Sequence, residues 1–155
     1  MQLLTFTVAG QTYAIESRRV VEVLPLVPAR PIPHTPAYIR GIFTYRGRLV
    51  PLLDLGQRLA TGPLAERLST RVIVVEWLLA GRDPRQLGLV AENVISICST
   101  EDAEASLPSL DFHDTPFLGN ILRIGGRTIQ LIAVEQLLPS DISTGLFPEP
   151  AAKAP

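Results

Sequence analysis

The chain has little of the equipment that most enzymes need. It holds one cysteine, Cys98, so no internal disulfide can form and no thiolate pair is on hand for a metal. Its two histidines stand far apart, His34 in a proline-rich stretch and His113 in an acidic one, which argues against a shared metal site. No Gly-x-Ser-x-Gly elbow, Gly-Lys-Ser/Thr phosphate loop or His-Glu-x-x-His pair occurs. No apolar run approaches the roughly 18 residues of a membrane-spanning helix. The first residues lack a basic leader and read as a strand, so a soluble cytoplasmic protein is expected. Charged residues are only 19% of the 155, and hydrophobic residues are 46%, which excludes a disordered chain. The net charge of −1 opposes general affinity for nucleic acid, which requires a concentrated basic face. No cofactor and no metal are expected. Cys98 and the single Trp77 both read as core side chains.

What is present is a repeat. Residues 38–53 align with residues 117–132 at a shift of 79 positions, without a gap. Ile42, Gly47, Arg48 and Leu52 meet Ile121, Gly126, Arg127 and Leu131, and Gln57 and Leu59 meet Gln136 and Leu138. The match fails where Arg46 faces Gly125. Glycine serves any tight turn, so an arginine there points to a purpose other than folding.

The pattern predicts short strands throughout. Leu4, Phe6 and Val8 alternate with polar residues, Gly10-Gln11 turns the chain, and 12–15 return as a hairpin. Ser17 is placed to cap a turn of helix starting at Arg18. Residues 20–24 read as a strand, and five prolines between Pro25 and Pro36 make an extended connector. Two strands, 41–45 and 48–53, then flank Arg46-Gly47, and Asp54 is set to cap a short helix over 55–59. Residues 71–78 are too uniformly apolar for a surface strand and should be deeply buried. A turn is expected at 81–84. Strands at 86–90 and 94–97 are interrupted at Glu92-Asn93, repeating the order seen over residues 3–23. Residues 99–116, with five acids and no Lys or Arg, read as a mobile loop. Residues 1–139 are expected to form one domain, and 140–155, with three prolines, a disordered tail.

The fold class expected is all-β with short helices, as two small barrels packed together, since each half alone is too small for assured stability. Arg40, Arg46 and Arg48 gather round one hairpin with Tyr38, Phe43 and Tyr45, a composition common at protein interfaces. Glu22, between Val21 and Val23, is the acidic residue of the same half. Charge divides unevenly: residues 1–99 carry 11 basic and 7 acidic side chains, residues 100–155 carry 3 and 8.

Val20-Val21-Glu22-Val23, then Pro36-Ala37-Tyr38-Ile39-Arg40-Gly41-Ile42, then 46–55 (Arg-Gly-Arg-Leu-Val-Pro-Leu-Leu-Asp-Leu) resemble the signature of the CheW-type coupling proteins. In the second half, Gly88 followed by Glu92 and Val94 is similar to the family's glycine, acidic residue and valine. The resemblance runs from about Leu3 to Leu138. It implies two five-stranded Src-homology-3-like barrels, no catalysis, and an adaptor linking the cytoplasmic tip of a chemoreceptor to a CheA-type histidine kinase. The receptor hairpin would dock in the groove between barrels, and the kinase's CheW-like regulatory domain would dock barrel to barrel. The partner-binding residues so implied are Val20, Glu22, Gly41, Tyr45, Arg46, Gly47, Arg48 and Gly88. The protein would lie at the inner face of the membrane through receptor arrays. Thr44-Tyr45 replaces the family's usual Asn-Leu, and Ala91-Glu92 its usual Val-Asp, leaving a flagellar, surface-sensing or twitching pathway equally open. Two other readings remain: a solitary regulator that occupies kinase or receptor without coupling them, and a small-barrel nucleic-acid-binding protein.

Overall fold

The computed structural model describes residues 1–78, 83–109 and 115–148. Ten strands account for most of it: β1 (Gln2–Val8), β2 (Gln11–Glu16), β3 (Val20–Pro25), β4 (Ile39–Tyr45), β5 (Arg48–Asp54), β6 (Thr70–Trp77), β7 (Arg85–Ser99), β8 (Ala105–Leu107), β9 (Leu118–Ile124) and β10 (Arg127–Ile132). Two short α-helices, α1 (Leu55–Arg58) and α2 (Ser140–Leu146), complete it with three 3₁₀ turns.

Each barrel draws strands from both halves of the chain. Hairpin β1–β2 is antiparallel, and β2 runs parallel to β10 of the distant hairpin β9–β10. Hairpin β6–β7 is likewise antiparallel, and β7 runs parallel to β5 of hairpin β4–β5. The third strand of each unit crosses over: β3 pairs with β6, while the far half of β7 pairs with β1. Barrel A therefore has the order β3–β6–β7–β5–β4, and barrel B the order β7–β1–β2–β10–β9, with β8 on its edge. The fold is the all-β pair of barrels expected, with strands exchanged between the two.

Strand β7 serves both barrels through a kink. Glu92 pairs with Thr70 of barrel A and Thr7 of barrel B. Asn93, next along, sits at φ 48 and donates from its side chain to Thr7 Oγ1 at 2.9 Å. Asparagine tolerates this left-handed backbone, so the interruption expected at Glu92-Asn93 is a bend within one strand.

The duplication holds in detail. β4 and β9 are each seven residues and start 79 apart. Asp54 N donates to Tyr38 O at 2.7 Å, and its counterpart Ala133 N donates to Phe117 O at 2.8 Å. Both hairpins turn through two left-handed residues: Arg46 and Gly47 at φ 49 and 77, Gly125 and Gly126 at φ 58 and 77. These are the mirror-image turns whose twist suits a two-residue hairpin.

The core runs through both barrels, from Phe6 and Ile15 to Val72–Val75, Leu87, Leu89, Phe117 and Leu137. β6 is buried as expected, and Trp77 is 2% exposed. Cys98 is half-buried, and burial raises its thiol pKa.

Three expectations need correction. Ser17 opens its 3₁₀ turn instead of capping it, because the preceding Glu16 holds the extended cap position. Part of the acidic stretch 99–116 is ordered: a turn at Thr100–Asp102 leads into β8, whose backbone finds partners along β9. Residues 110–114, and His113 among them, fall outside the described residues, as do 79–82 within the turn expected at 81–84. Of the tail expected at 140–155, the first part forms helix α2, and Phe147 packs on Trp77 with ring centroids 6.5 Å apart, while 149–155 lie outside the described residues. Ile142 and Leu146 also rest on the core, so this segment has the apolar anchors that its prolines hid.

Candidate functional site

The hairpin tip of barrel A carries the broken repeat. Tyr45 is buried to 6% exposure at the end of β4, while Arg46, Gly47 and Arg48 are exposed. Arg46 holds a left-handed backbone, which costs a residue with a Cβ roughly 1–2 kcal/mol relative to glycine. Its guanidinium, with the side chain 70% exposed, meets Glu22 Oε1 at 2.5 Å and lies 5.2 Å from the Tyr45 ring centroid. Tyr45 Oη donates to the same Oε1 at 3.2 Å. Glu22 thus bridges β3 and β4, the two edge strands of barrel A, and aims Arg46 outward. Burial first, and then the hydrogen bond to Glu22, push the Tyr45 phenol above its usual pKa, while Arg46 pulls it down.

Strand β3 inverts the usual order of polarity. Val20, Glu22 and Leu24 are half-buried, whereas Val21 and Val23 are 37% and 39% exposed. A carboxylate facing in and two valines facing out make poor sense for a solvated edge strand but suit a contact surface. Leu49, beside Arg48, is 70% exposed and adds apolar area to the hairpin. The sequence reading singled out Glu22 but passed over Val21, Val23 and Leu49. The signal was available in Val-Glu-Val, whose facing could not be settled without the partners of Glu22.

The other implied residues lie deeper. Gly41 is buried at φ 143, and a Cβ there would meet Arg30 O at 2.1 Å. That vacancy lets the proline connector pair with β4 through reciprocal Arg30–Ile42 backbone bonds of 2.8 and 2.9 Å. Gly88 is buried too, and a Cβ would meet Phe43 Cε1 at 2.8 Å. Both glycines are explained by packing. Val20 packs against the core, paired with Val75. Gly47, at φ 77 with open space around it, completes the turn.

Arg40 does not join the surface cluster. Its Nε donates to Asp54 Oδ2 at 2.8 Å and its NH2 to Leu64 O at 2.6 Å, with the side chain 20% exposed. Asp54, 1% exposed, also caps α1 by accepting from Gln57 N at 3.2 Å. The expected cap is present, and the buried carboxylate has a full set of donors. Barrel B lacks the pair as a unit, with Gly119 for Arg40 and Ala133 for Asp54. A cleft of about 250 Å³ lies there, lined by Gly119, Leu131, Ala133 and Glu135. Losing both members together leaves no orphaned charge.

None of this geometry assembles a nucleophile with a base. Among the described residues, no three His, Cys, Asp or Glu side chains group to hold a metal, and no helix is long and apolar enough to cross a membrane. The arginines of the hairpin are separated by an internal ion pair at Arg40 and form no broad basic face. The hairpin tip presents an exposed cation beside exposed valine and leucine.

The model of the CheW-like domain matches residues 2–141. The chain is 30% identical over 143 residues to the chemotaxis protein CheW of Rhizobium meliloti, covering 90% of this chain and 88% of that one. It is 29% identical to the chemotaxis protein CheW of Klebsiella aerogenes, covering 90% and 82%. The crystal structure of the scaffolding protein TtCheW from Thermoanaerobacter tengcongensis superposes with a TM-score of 0.74 at 28% identity, covering 89% of this chain and 87% of that one. The chain belongs to the CheW-like family. That family is one of non-catalytic chemotaxis scaffolds, and this chain has its fold of two Src-homology-3-like barrels.

Proposed function

We propose that this chain couples the cytoplasmic tip of a chemoreceptor to the regulatory domain of a CheA-type histidine kinase, at the inner face of the membrane in a receptor array. Arg46 carries the reading. A residue with a Cβ occupies a backbone conformation that glycine fills in the sister hairpin, and its guanidinium is held by Glu22 with most of its surface free. A left-handed residue with a Cβ, kept at an exposed turn where glycine would serve, supports a binding role. Val20, Glu22, Tyr45, Gly47 and Arg48 support that surface, while Gly41 and Gly88 hold the barrel beneath it. Apolar contact from Val21, Val23 and Leu49 supplies area, and Arg46 supplies orientation and rejection of wrong partners. Coupling follows when receptor and kinase occupy separate surfaces of one rigid body, so that a change in one shifts the population of active kinase.

The test is reconstitution of kinase autophosphorylation with receptor, with and without this protein. A receptor-dependent rise in rate, abolished by Arg46→Ala, is expected. A fall in kinase activity on addition would instead identify a competitor that occupies one partner without joining the two.

A further inference from the structure

The two copies of the repeat meet at one side chain. The shift of 79 places Tyr38 opposite Phe117 and Arg58 opposite Leu137. In the folded chain the Arg58 guanidinium lies 4.9 Å from the Tyr38 ring centroid and 4.3 Å from that of Phe117, equivalent rings from the two copies. Its Nε donates to Leu137 O at 2.7 Å, the backbone of its own counterpart. Arg58 therefore stands where equivalent parts of the two copies meet. Such a place admits only one of two equivalent long side chains. The other copy contributes Leu137, fully buried.

We propose that Arg58 is a positioning residue that clamps barrel A to barrel B and fixes the angle between them. The connection it braces has a natural joint. β7 passes from one barrel to the other through the left-handed bend at Asn93, where its register against β1 shifts. A guanidinium is flat, with two faces for aromatic rings and donors at its edge, and so can grip both barrels at once. Neither lysine nor methionine offers all three contacts. The inference rests on the scaffold reading only for its consequence: the surface at Arg46 on barrel A and any surface on barrel B keep a defined relation because this clamp holds.

The experiment measures the angle directly. In full-length protein carrying Cys98→Ser, spin labels are placed through Glu76→Cys on β6 and Glu101→Cys beyond β7, both exposed positions in different barrels. Pulsed electron resonance on the unaltered clamp should give one narrow distance peak. Arg58→Met should shift that peak or broaden it about twofold with circular dichroism unchanged. Arg58→Lys, which keeps charge without the planar stack, should fall between. Should Arg58→Met fail to fold, Tyr38→Leu removes one wall of the clamp and should broaden the peak less. Folded variants with the parent's peak and width would overturn the clamp. Kinase and receptor binding are measured on the same samples. A broadened peak with intact binding and intact coupling upholds the clamp and instead contradicts the need for a rigid scaffold.

Discussion

Replacing Arg46 by glycine separates folding from binding more cleanly than replacing it by alanine. Glycine removes the left-handed strain, a gain of about 1–2 kcal/mol, against about 0.5–1 kcal/mol for its greater freedom in the unfolded chain. It also removes an exposed ion pair worth about 0.2–1 kcal/mol and a cation–π contact worth about 0.5–1 kcal/mol. These effects oppose one another, so Arg46→Gly should unfold within about 1 kcal/mol of the parent. Arg46→Ala keeps the strain and loses the same contacts, so it should be the less stable of the two by about 0.5–1 kcal/mol. Urea titration followed by the fluorescence of Trp77, the sole tryptophan, reads this directly. Both variants should weaken partner binding by about 1–3 kcal/mol, roughly 5- to 150-fold, as loss of an interface arginine does. Calorimetric titration against the kinase regulatory domain and against a receptor fragment would show which partner meets the hairpin. The reasoning fails if Arg46→Gly costs more than about 3 kcal/mol in stability, since the arginine would then be holding the fold, or if both partners bind the glycine variant as tightly as the parent.

Two further substitutions probe the frame. Gly41→Ala must push the connector off β4, breaking the paired Arg30–Ile42 bonds and straining the backbone, for a loss of about 3–5 kcal/mol in urea unfolding. A loss under about 1 kcal/mol would show that the connector is not seated there. Phe147→Ala should shift Trp77 emission to longer wavelength and cost about 2–4 kcal/mol, because a buried indole loses its stacked neighbour. Unchanged emission would mean that the segment after α2 does not cover Trp77.

The hairpins, the capped helix and the doubled plan were readable because each is local. Alternating apolar residues, Gly47 at a turn and Asp54 before Leu55 write their structure into adjacent positions. The exchange of β3 and the far half of β7 is not local. Both strands are rich in β-branched residues and either would suit either barrel, so only the three-dimensional pairing decides. The facing of Glu22 was hidden for the same reason, since its partners Tyr45 and Arg46 lie 23 and 24 residues away. The helix at 140–146 was masked by neighbouring prolines, with only Ile142 and Leu146 at helical spacing ahead of its anchor Phe147. Arg46 was legible because the chain contains its own control at Gly125. Arg40 misled because composition counts arginines without saying which one faces a buried carboxylate.

The crossing of β3 and β7 bears on how the polypeptide emerges from the ribosome. Barrel A can close once about residue 92 has left the exit tunnel, from strands that are all recent. In the hairpin β1–β2, β1 gains β7 as a neighbour once Ser99 has emerged, but the open edge of β2 must wait for β10, more than a hundred residues later. Nascent chains should therefore be most prone to aggregate through their first sixteen residues, and closure of the second barrel should limit the rate of maturation.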